Sequence, residues 1–417
     1  MNVLSLFDGM SCGMLAMLKA GIQVDNYYAY EIDKYAIKTS QHNFPQIKQC
    51  GDVFNADFTQ YEGIDYLIGG SPCTYWSIAQ SPNKRETTAS GMGWELFSQY
   101  VRALHEAKPQ YFIYENNKSM AKAIRESITK TFGFEPILIN SALVSAQSRQ
   151  RLYWVGKLNN DGTYNKVNVE QPKDKGILLK DVLDSGTDLT SNSKSYTLAA
   201  SYNGAVPWNT IERSQRNMVA EPVNVTADGK SQTIKAQYSN TDINNICRYT
   251  STYGASGVAE PVRCFTLPRK DGIQTQSKQY RVYKVEGKST TLCAEGGGMG
   301  AKTGLYAIPI EFNDDIPIKA VSGADGKTYK VYEVKDGQIT IRDKQYPIKL
   351  IDGYYIIRKL TVSECKRLQT VPEWYGFPVS NTQAYKMLGN GWTVDVIVHL
   401  IKATQEEKAK AYYDPLQ

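Results

Sequence analysis

The stretch Asp65-Tyr-Leu-Ile-Gly-Gly-Ser-Pro-Cys73 decides the fold that the sequence predicts. Its apolar residues, Tyr66 to Ile68, indicate a short buried strand, and Gly-Gly-Ser-Pro breaks that strand at its carboxyl end. In an open α/β sheet, ligands and reacting groups gather at the carboxyl ends of the strands. A cysteine on a loop fixed by proline is a candidate nucleophile, but most free cysteines are buried structural thiols. This stretch alone leaves both interpretations of Cys73 open.

The first 160 residues alternate short apolar strands with helical patterns, which is typical of βαβ units and a parallel sheet. Asn2-Val-Leu-Ser-Leu-Phe predicts a strand, Asp8–Gly13 a tight turn, and Met14–Ala20 a helix. The two glycines of the turn let the backbone approach a ligand at a helix N-terminus. Their spacing is not Gly-x-Gly-x-x-Gly, so the dinucleotide fingerprint is absent.

Acidic residues close the next two units. Glu31 follows the predicted strand Asn26–Tyr30, about 20 residues after the glycine turn, where an acidic residue binds ribose hydroxyls. Glu31 could instead cap the following helix. The third unit ends in Gly51-Asp52-Val53. Together with the Pro-Cys loop, these strand ends predict a pocket for an adenosyl group.

A second carboxylate follows the strand Tyr111–Tyr114, after a predicted helix over residues 91–108 that contains Leu96. Glu115 at this strand end could protonate or hydrogen-bond a substrate held by Cys73. It could also cap a helix over Lys118–Arg125, and both interpretations can hold at once.

Two arginines lie in the predicted strand Gln147–Val155. Strand alternation puts Arg149 and Arg151 on one face. Such a pair can hold an anion, or a carboxylate and a base oxygen together. As ordinary surface arginines they would need no special role.

The composition changes at about residue 164, where Gly-, Asn-, Ser- and Thr-rich stretches with short β-type runs replace the alternating units. We expect domains over residues 1–163 and 164–374, with 375–417 returning to complete the first. Near the end, Thr361 and Glu364 have capping-box spacing at a helix start.

Charge, cysteines and hydropathy bound the function of the 417-residue chain. Residues 213–302 hold thirteen Lys and Arg against seven Asp and Glu, and the net charge of the whole chain is +6. A concentrated basic surface suggests a polyanionic partner, although a solvated basic face without a partner is also common.

Seven scattered cysteines and three histidines argue against a disulfide framework and a metal centre. No apolar run approaches the roughly 20 residues of a membrane span, and no signal peptide is visible.

An ordered set of motifs resembles the DNA cytosine-C5 methyltransferase family in its bacterial or phage form. The matching elements are Phe7-Asp-Gly-Met-Ser-Cys-Gly13, Glu31, Asp52-Val53, Gly70-Ser-Pro-Cys73, Glu115-Asn116, Gln147-x-Arg-x-Arg151, the segment Arg358–Gln369, and Leu388-Gly-Asn-Gly-Trp392. The resemblance implies an α/β fold. Its Rossmann-like S-adenosylmethionine-dependent methyltransferase domain would have a mostly parallel sheet with helices on both faces. A smaller β-rich target-recognition domain over residues 164–374 would complete it, and the middle of that domain, about 164–355, matches no motif.

The resemblance also implies roles for individual residues. Cys73 would add to C6 of a flipped-out cytosine, and Glu115 would contact N3 and the exocyclic amine. Arg151 would hold the base oxygen and Glu115, while Arg149 would position the cysteine loop. The implied cofactor is S-adenosyl-L-methionine, held by Phe7, Asp8, Gly9, Gly13, Glu31, Ile32, Asp52, Val53, Gly70, Pro72, Leu96, Asn390 and Trp392.

The implied partner is double-stranded DNA, and the resemblance leaves a cognate restriction endonuclease open as a second partner. We expect a monomer without membrane contact, in the cytoplasm of a bacterial or phage-infected cell and associated with the nucleoid. The sequence departs from the family pattern in its first turn, at Asn117 in place of the common Val, and at Gly391-Trp392 in place of the common Asn-Ser.

Three competing functions differ in substrate or class. The same chemistry could act on cytosine in RNA, although the long basic middle region favours a DNA reader. A nucleotide hydroxymethylase would also use a Pro-Cys nucleophile, but it needs no adenosyl pocket. A catalytically inactive DNA-binding regulator would have no need for the set Cys73, Glu115, Arg149 and Arg151.

Overall fold

The chain folds into two compact units in a computed structural model. Unit 1 comprises Met1–Val182, Asn192–Ala205 and Leu360–Gln417, and unit 2 comprises Leu183–Ser191 and Val206–Lys359. The structure describes residues 1–77, 83, 85–184, 187–188, 194–198, 200, 202–213, 216–223, 263–266, 281–284, 305–307, 320–322, 328–341, 343–347 and 352–413.

Residues 164–182 and 360–374 belong to unit 1, although the sequence analysis grouped them with the middle domain. Long-range hydrogen bonds explain the difference. The Arg367 guanidinium donates to the Val182 carbonyl at 3.0 Å, and the Leu360 N–H donates to the Tyr202 hydroxyl at 2.7 Å. Segments that lie so far apart along the chain carry no local pattern that pairs them.

The described part of unit 1 contains an eight-stranded sheet. Its strands are β1 (Asn2–Leu6), β2 (Asn26–Tyr30), β3 (Lys48–Gln49), β4 (Tyr66–Gly69), β5 (Tyr111–Asn117), β6 (Ile137–Asn140), β7 (Gln150–Leu158) and β8 (Tyr164–Lys166). The order is β3-β2-β1-β4-β5-β7-β6, with β8 paired to β7. Strands β1 to β5 are parallel, and β7 runs antiparallel to its neighbours. This sheet confirms the predicted α/β class.

The strand order reverses between β1 and β4. From β1 the chain crosses to β2 on one side, and from β4 it crosses to β5 on the other. Such a reversal opens a crevice outside the carboxyl ends of the two strands. We call this place the switch-point edge; Phe7 follows β1 there and Gly70 follows β4.

Helices connect the parallel strands: α1 (Cys12–Lys19), α2 (Lys34–Asn43), α3 (Gly91–Ala107) and α4 (Lys122–Phe132). The sequence analysis put the start of the first helix at Met14, but α1 begins at Cys12, because Ser11 takes the capping position with a left-handed φ of 59°. The last strand before α4 is also longer than predicted. Glu115 lies within β5 and pairs with Tyr153 of β7.

Aromatic rings fill the core beside β5 and β7. Phe132, at the end of α4, lies 4.9–6.3 Å between ring centroids from Phe97, Tyr100, Phe112, Tyr114 and Trp154. Aromatic pairs at these distances stabilise a core beyond the area that they bury. The packed rings therefore fix β5, which carries Glu115, against β7, which carries Arg151.

The described part of unit 2 is mostly β-structure. It contains β9 (Thr187–Asp188), α5 (Pro207–Arg213), β10 (Met218–Val223), β11 (Arg263–Thr266), β12 (Arg281–Lys284), β13 (Leu305–Ala307), β14 (Ala320–Ser322), β15 (Thr328–Lys335), β16 (Gln338–Ile341), β17 (Lys344–Pro347) and β18 (Gly353–Lys359). One sheet has the order β17-β16-β15-β18-β10-β9, with β14 beside β15, and another joins β11, β12 and β13. Most of the basic segment 213–302 lies outside the described residues.

Three helices of unit 1 follow: α6 (Val362–Leu368), α7 (Asn381–Asn390) and α8 (Val394–Tyr413). The predicted capping box at the start of α6 is confirmed. The Thr361 side chain accepts from the Glu364 N–H, and the Glu364 carboxylate accepts from the Thr361 N–H. Within the described ranges, none of the helices combines the length and the apolar character needed to cross a membrane.

Candidate active site

The Pro-Cys loop leaves β4 at the switch-point edge. Pro72 is exposed there, and Cys73 begins a short 3₁₀ turn, Cys73–Tyr75. The side chain of Cys73 lies outside the described ones. Gly70 marks the tightest approach in the loop, because a Cβ on it would lie 2.6 Å from the Glu115 carbonyl oxygen and 3.0 Å from Glu115 Oε2. The loop and the end of β5 therefore lie directly against each other.

A buried amide holds this loop in place. The Asn116 side chain is fully buried and donates through Nδ2 to the Ser71 carbonyl at 3.2 Å and to the Tyr114 hydroxyl at 3.2 Å. Its Oδ1 accepts from the Asn117 N–H at 2.8 Å. The sequence analysis named Asn116 in a motif but gave it no role. Its role becomes visible only when β4 and β5 are seen to be neighbours.

Glu115 has a donor on each carboxylate oxygen. Arg151 Nε donates to Oε1 at 2.9 Å, and Trp392 Nε1 donates to Oε2 at 3.1 Å. The Arg151 and Glu115 side chains are only 14% and 12% exposed. Charge-assisted hydrogen bonds with little solvent fix a side chain strongly. The helix after β5 has Ala121 at its N-cap, so Glu115 does not cap it.

Arg149 is buried just before β7. Its guanidinium donates to the carbonyls of Leu198 and Gly389, both at 3.2 Å, and of Gly391 at 3.0 Å. The sequence analysis expected Arg149 to share a strand face with Arg151, but Arg149 lies outside the strand. Within the hydrogen bonds described, it fixes the backbone that leads into Trp392.

Asp8 is buried beneath the loop after β1 and accepts hydrogen bonds from three hydroxyl groups. Its Oδ1 accepts from the Ser5 hydroxyl at 2.6 Å and from the Tyr27 hydroxyl at 2.7 Å, and its Oδ2 accepts from the Ser11 hydroxyl. Burial raises the pKa of the Asp8 carboxyl to about 6, although the three hydroxyl bonds lower it. In this structure, Asp8 therefore braces the predicted cofactor loop from inside.

Glu31 ties the ends of β1 and β2 together. Its Oε2 accepts from the Gly9 N–H at 2.8 Å, and its Oε1 accepts from the N–H groups of Ile32 and Asp33, both at 2.8 Å. The N-cap of α2 is Asp33, whose side chain accepts from the Tyr35 N–H. The alternative that Glu31 caps this helix is therefore not what the structure shows.

Two exposed apolar side chains follow these strand ends. Ile32 is 74% exposed and Phe54 is 45% exposed. Asp52 caps the 3₁₀ turn Val53–Asn55 by accepting from the Phe54 N–H at 3.0 Å, and Val53 itself is buried in the core. Phe54 is a candidate ligand contact that the sequence analysis missed. Its signal was an aromatic residue directly after Asp52-Val53.

The other predicted cofactor residues have different surroundings. Phe7 and Gly9 both have positive φ, 57° and 58°, and a Cβ on Gly9 would meet open space. Gly13 lies inside α1, where a Cβ would be 2.3 Å from Ile68 Cδ1 and 2.6 Å from the Tyr27 hydroxyl, so it lets the helix approach the sheet. Leu96 packs against the core, and Asn390 is exposed at the end of α7.

The structure thus brings Gly70, Glu115, Arg151 and Trp392 together, and separately Gly9, Glu31 and Ile32. The family model described as C-5 cytosine-specific DNA methylase matches residues 1–406. The chain belongs to this family. It is a DNA cytosine-5-methyltransferase that uses S-adenosylmethionine, and DNA is its substrate.

Phage proteins are among the relatives of this methyltransferase. The orphan methyltransferase M.SPRI of Bacillus phage SPR is 25% identical across 96% of this chain and 97% of that protein. The orphan methyltransferase M.Rho11sI of Bacillus phage rho11s is 32% identical across 37% of this chain and 33% of that protein. The Entamoeba histolytica methyltransferase EhMeth has a solved structure with a TM-score of 0.51 at 11% identity, covering 97% and 98% of the two chains, which supports the fold.

The residues at the carboxyl ends of β1 to β3 fit S-adenosylmethionine. A carboxylate closes β2, exposed apolar side chains follow β2 and β3, and open space lies beside Gly9. These features suit a ribose, an adenine ring and a close backbone contact, respectively. In the part of the chain that the structure describes, no group of three or more His, Cys, Asp or Glu residues is placed to hold a metal ion.

Proposed function

We propose that the chain methylates cytosine C5 within a specific DNA sequence, through a covalent bond between Cys73 and C6 of a flipped-out base. The observation that carries this proposal is the packing of the Pro-Cys loop against Glu115. Gly70 leaves no room for a side chain beside the Glu115 backbone, and Arg151 holds the Glu115 carboxylate at 2.9 Å. A nucleophile two residues after Ser71 and a fixed carboxylate therefore share one edge of the sheet.

Each proposed residue has a role in the methylation of cytosine. Its C5 is a poor nucleophile until a thiolate adds to C6 and converts the ring into an enamine. Glu115 would hold N3 and the exocyclic amine while charge develops on the ring, and Arg151 would keep Glu115 oriented. Bound S-adenosylmethionine supplies the methyl group that C5 accepts. Loss of the C5 proton then expels the Cys73 thiolate and restores the double bond.

The proposed cofactor residues are those that the sequence predicted, with Phe54 added and without Trp392, whose indole donates to Glu115. Glu31 and Ile32 would take the ribose and the adenine, joined by Phe54. Asp8 would act through the loop that it braces. Phe7, Gly9, Gly13, Asp52, Val53, Gly70, Pro72, Leu96 and Asn390 would form the rest of the pocket.

The middle region, which contains the basic segment 213–302, would bind the DNA. A base inside the duplex cannot reach a side chain on the sheet edge, so the target cytosine must be flipped out. The surplus of Lys and Arg over residues 213–302 would contact phosphates, and this region would read the bases. We propose that the protein acts as a monomer. The phage relatives are named orphan methyltransferases, which supports a role without a cognate endonuclease.

The test combines methyl transfer with covalent trapping. Purified protein is incubated with tritiated S-adenosylmethionine and mixed-sequence duplex DNA, and the product is mapped by bisulfite sequencing. A second reaction uses DNA in which 5-fluorocytosine replaces cytosine, because fluorine at C5 cannot leave as a proton does. We expect label in one recurring short sequence and a protein–DNA adduct that survives denaturation. The variant Cys73→Ser should form no adduct while it still binds DNA.

Label in RNA with none in DNA would reject the substrate. Label in DNA without an adduct, or an adduct in Cys73→Ser, would reject the covalent mechanism. Binding to DNA with no acceptor labelled would favour an inactive regulator.

A further inference from the structure

Trp392 lies at the catalytic carboxylate. Its indole N–H donates to Glu115 Oε2 at 3.1 Å, while Arg151 takes Oε1 at 2.9 Å. The two donors come from segments far apart along the chain, one from β7 and one from the turn after α7. Each oxygen of Glu115 therefore has one protein donor and keeps one lone pair for a substrate.

The loop after β4 passes close to the same oxygen. A Cβ on Gly70 would lie 3.0 Å from Glu115 Oε2, so a side chain larger than that of glycine does not fit beside it. The backbone of Glu115 is fixed as well, because it pairs with Tyr153 within the sheet. The Glu115 carboxylate can then still rotate about its side-chain bonds, and the hydrogen bond from the Trp392 indole restricts this rotation.

The indole is itself held by its backbone. Arg149 donates to the carbonyls of Gly389 and Gly391. The Gln369 side chain donates to the Leu388 carbonyl at 2.6 Å, and the Gly391 N–H donates to the Met387 carbonyl at 2.7 Å. These hydrogen bonds over residues 387–391 position the residue that follows them, Trp392.

We propose that Trp392 is a positioning residue for Glu115: its N–H fixes the carboxylate in the orientation that receives the N3 edge of the flipped cytosine. This inference rests on the proposed function. It replaces the expectation from the sequence that Trp392 closes the cofactor pocket. The indole hydrogen bond orients the carboxylate before the substrate binds. The carboxylate then needs less reorganisation during the reaction.

The test separates turnover from binding in the full-length protein. Trp392→Phe keeps an aromatic ring but removes the N–H. Because hydrogen bonds to charged groups are strong, we expect kcat to fall about ten- to a hundredfold. The Kd for S-adenosylmethionine and the Kd for duplex DNA should stay within about twofold of wild type. The matched control is Trp374→Phe, because Trp374 is exposed and its ring packs on Phe44; it should keep wild-type kcat.

The second variant is Trp392→His, which returns a ring N–H to the site. We expect its kcat to exceed that of Trp392→Phe. Equal losses in the two variants would reject the hydrogen bond as the cause. A raised Kd for S-adenosylmethionine with unchanged kcat would overturn the proposal in favour of a cofactor contact, and so would wild-type behaviour of Trp392→Phe. If the wild-type protein itself does not methylate cytosine, the proposed function has failed instead.

Discussion

Side chains that accept hydrogen bonds hold the residues after β1 and β2, whereas side chains that donate hydrogen bonds hold the loop after β4 and the end of α7. On the first, cofactor side, the carboxylates of Asp8 and Glu31 accept from hydroxyls and backbone N–H groups. On the second, substrate side, the side chains of Asn116 and Arg149 donate to backbone carbonyls. The buried Asp8 carboxyl, with a pKa raised to about 6, can change its protonation state near that pH, whereas a guanidinium and an amide do not titrate there. The two sides should therefore respond differently to pH and to substitution.

The largest effect is expected on the substrate side, at Glu115. Glu115→Gln keeps the size of the side chain but loses its charge, so it can no longer offset charge on the cytosine ring. We expect kcat to fall about 10²–10⁴-fold, with the Kd for S-adenosylmethionine nearly unchanged. Single-turnover transfer of tritiated methyl groups measures this loss. Glu126→Gln, on an exposed ion pair of α4, is the matched control; a similar loss there would contradict the assignment.

Arg149→Met comes next, because it fills the buried space but removes the donor to the carbonyls of Leu198 and Gly389 and leaves the Gly391 carbonyl with Gln369 at 3.4 Å. Each buried acceptor left unpaired costs about 1–3 kcal/mol. We expect the free energy of unfolding to drop by about 4 kcal/mol in urea titrations, together with lower activity. Unchanged stability would mean that water replaces the guanidinium without loss.

On the cofactor side, Asp8 should make the stability of the protein depend on pH. The Asp8 pKa is raised to about 6 from an ordinary 3.8, so the folded protein holds a proton more tightly than the unfolded chain does. The stability that this carboxyl contributes is complete below about pH 4 and is lost as the pH rises through about 6. Between those limits, we expect wild type to lose about 3 kcal/mol relative to Asp8→Asn. Thermal melts of both proteins across this range test the prediction, and parallel curves would contradict it.

The smallest effect is expected for Glu31→Gln. The amide keeps one acceptor for the N–H groups of Gly9, Ile32 and Asp33, but it loses the charge. We expect the Kd for S-adenosylmethionine, measured by calorimetry, to rise about tenfold, with a smaller change in kcat. Glu62→Gln, on an exposed ion pair, should leave this Kd unchanged. A loss confined to kcat, with an unchanged Kd for S-adenosylmethionine, would contradict a role for Glu31 in cofactor binding.

The features that the sequence predicted correctly depend on residues that are close together along the chain. The capping box of Thr361 and Glu364 spans four residues and follows from their types alone. The strand before the Pro-Cys loop was predictable because its apolar run ends in glycine and proline. The α/β class followed from the alternation of such segments over the first 160 residues.

Contacts between distant segments could not be read in the same way. Nothing in the residues near Glu115 indicates that a tryptophan 277 positions later donates to it, and Arg149 bonds to a carbonyl 242 positions away. The sequence analysis put Gly13 in the turn before the first helix, and only the packed helix shows that Ile68 and Tyr27 lie beneath it. One sequence gives residue types and spacing, whereas such pairs depend on how separate elements pack.

The late position of residues 389–392 in the chain has a consequence for biosynthesis. At about 5–20 residues per second, translation reaches Trp392 roughly 10–50 s after Arg151 has been made. During that interval Arg149 and Glu115 exist without the glycine carbonyls and the indole that meet them in the finished fold. A nascent chain can therefore begin to order its sheet while Glu115 has Arg151 as a donor but does not yet have the indole of Trp392.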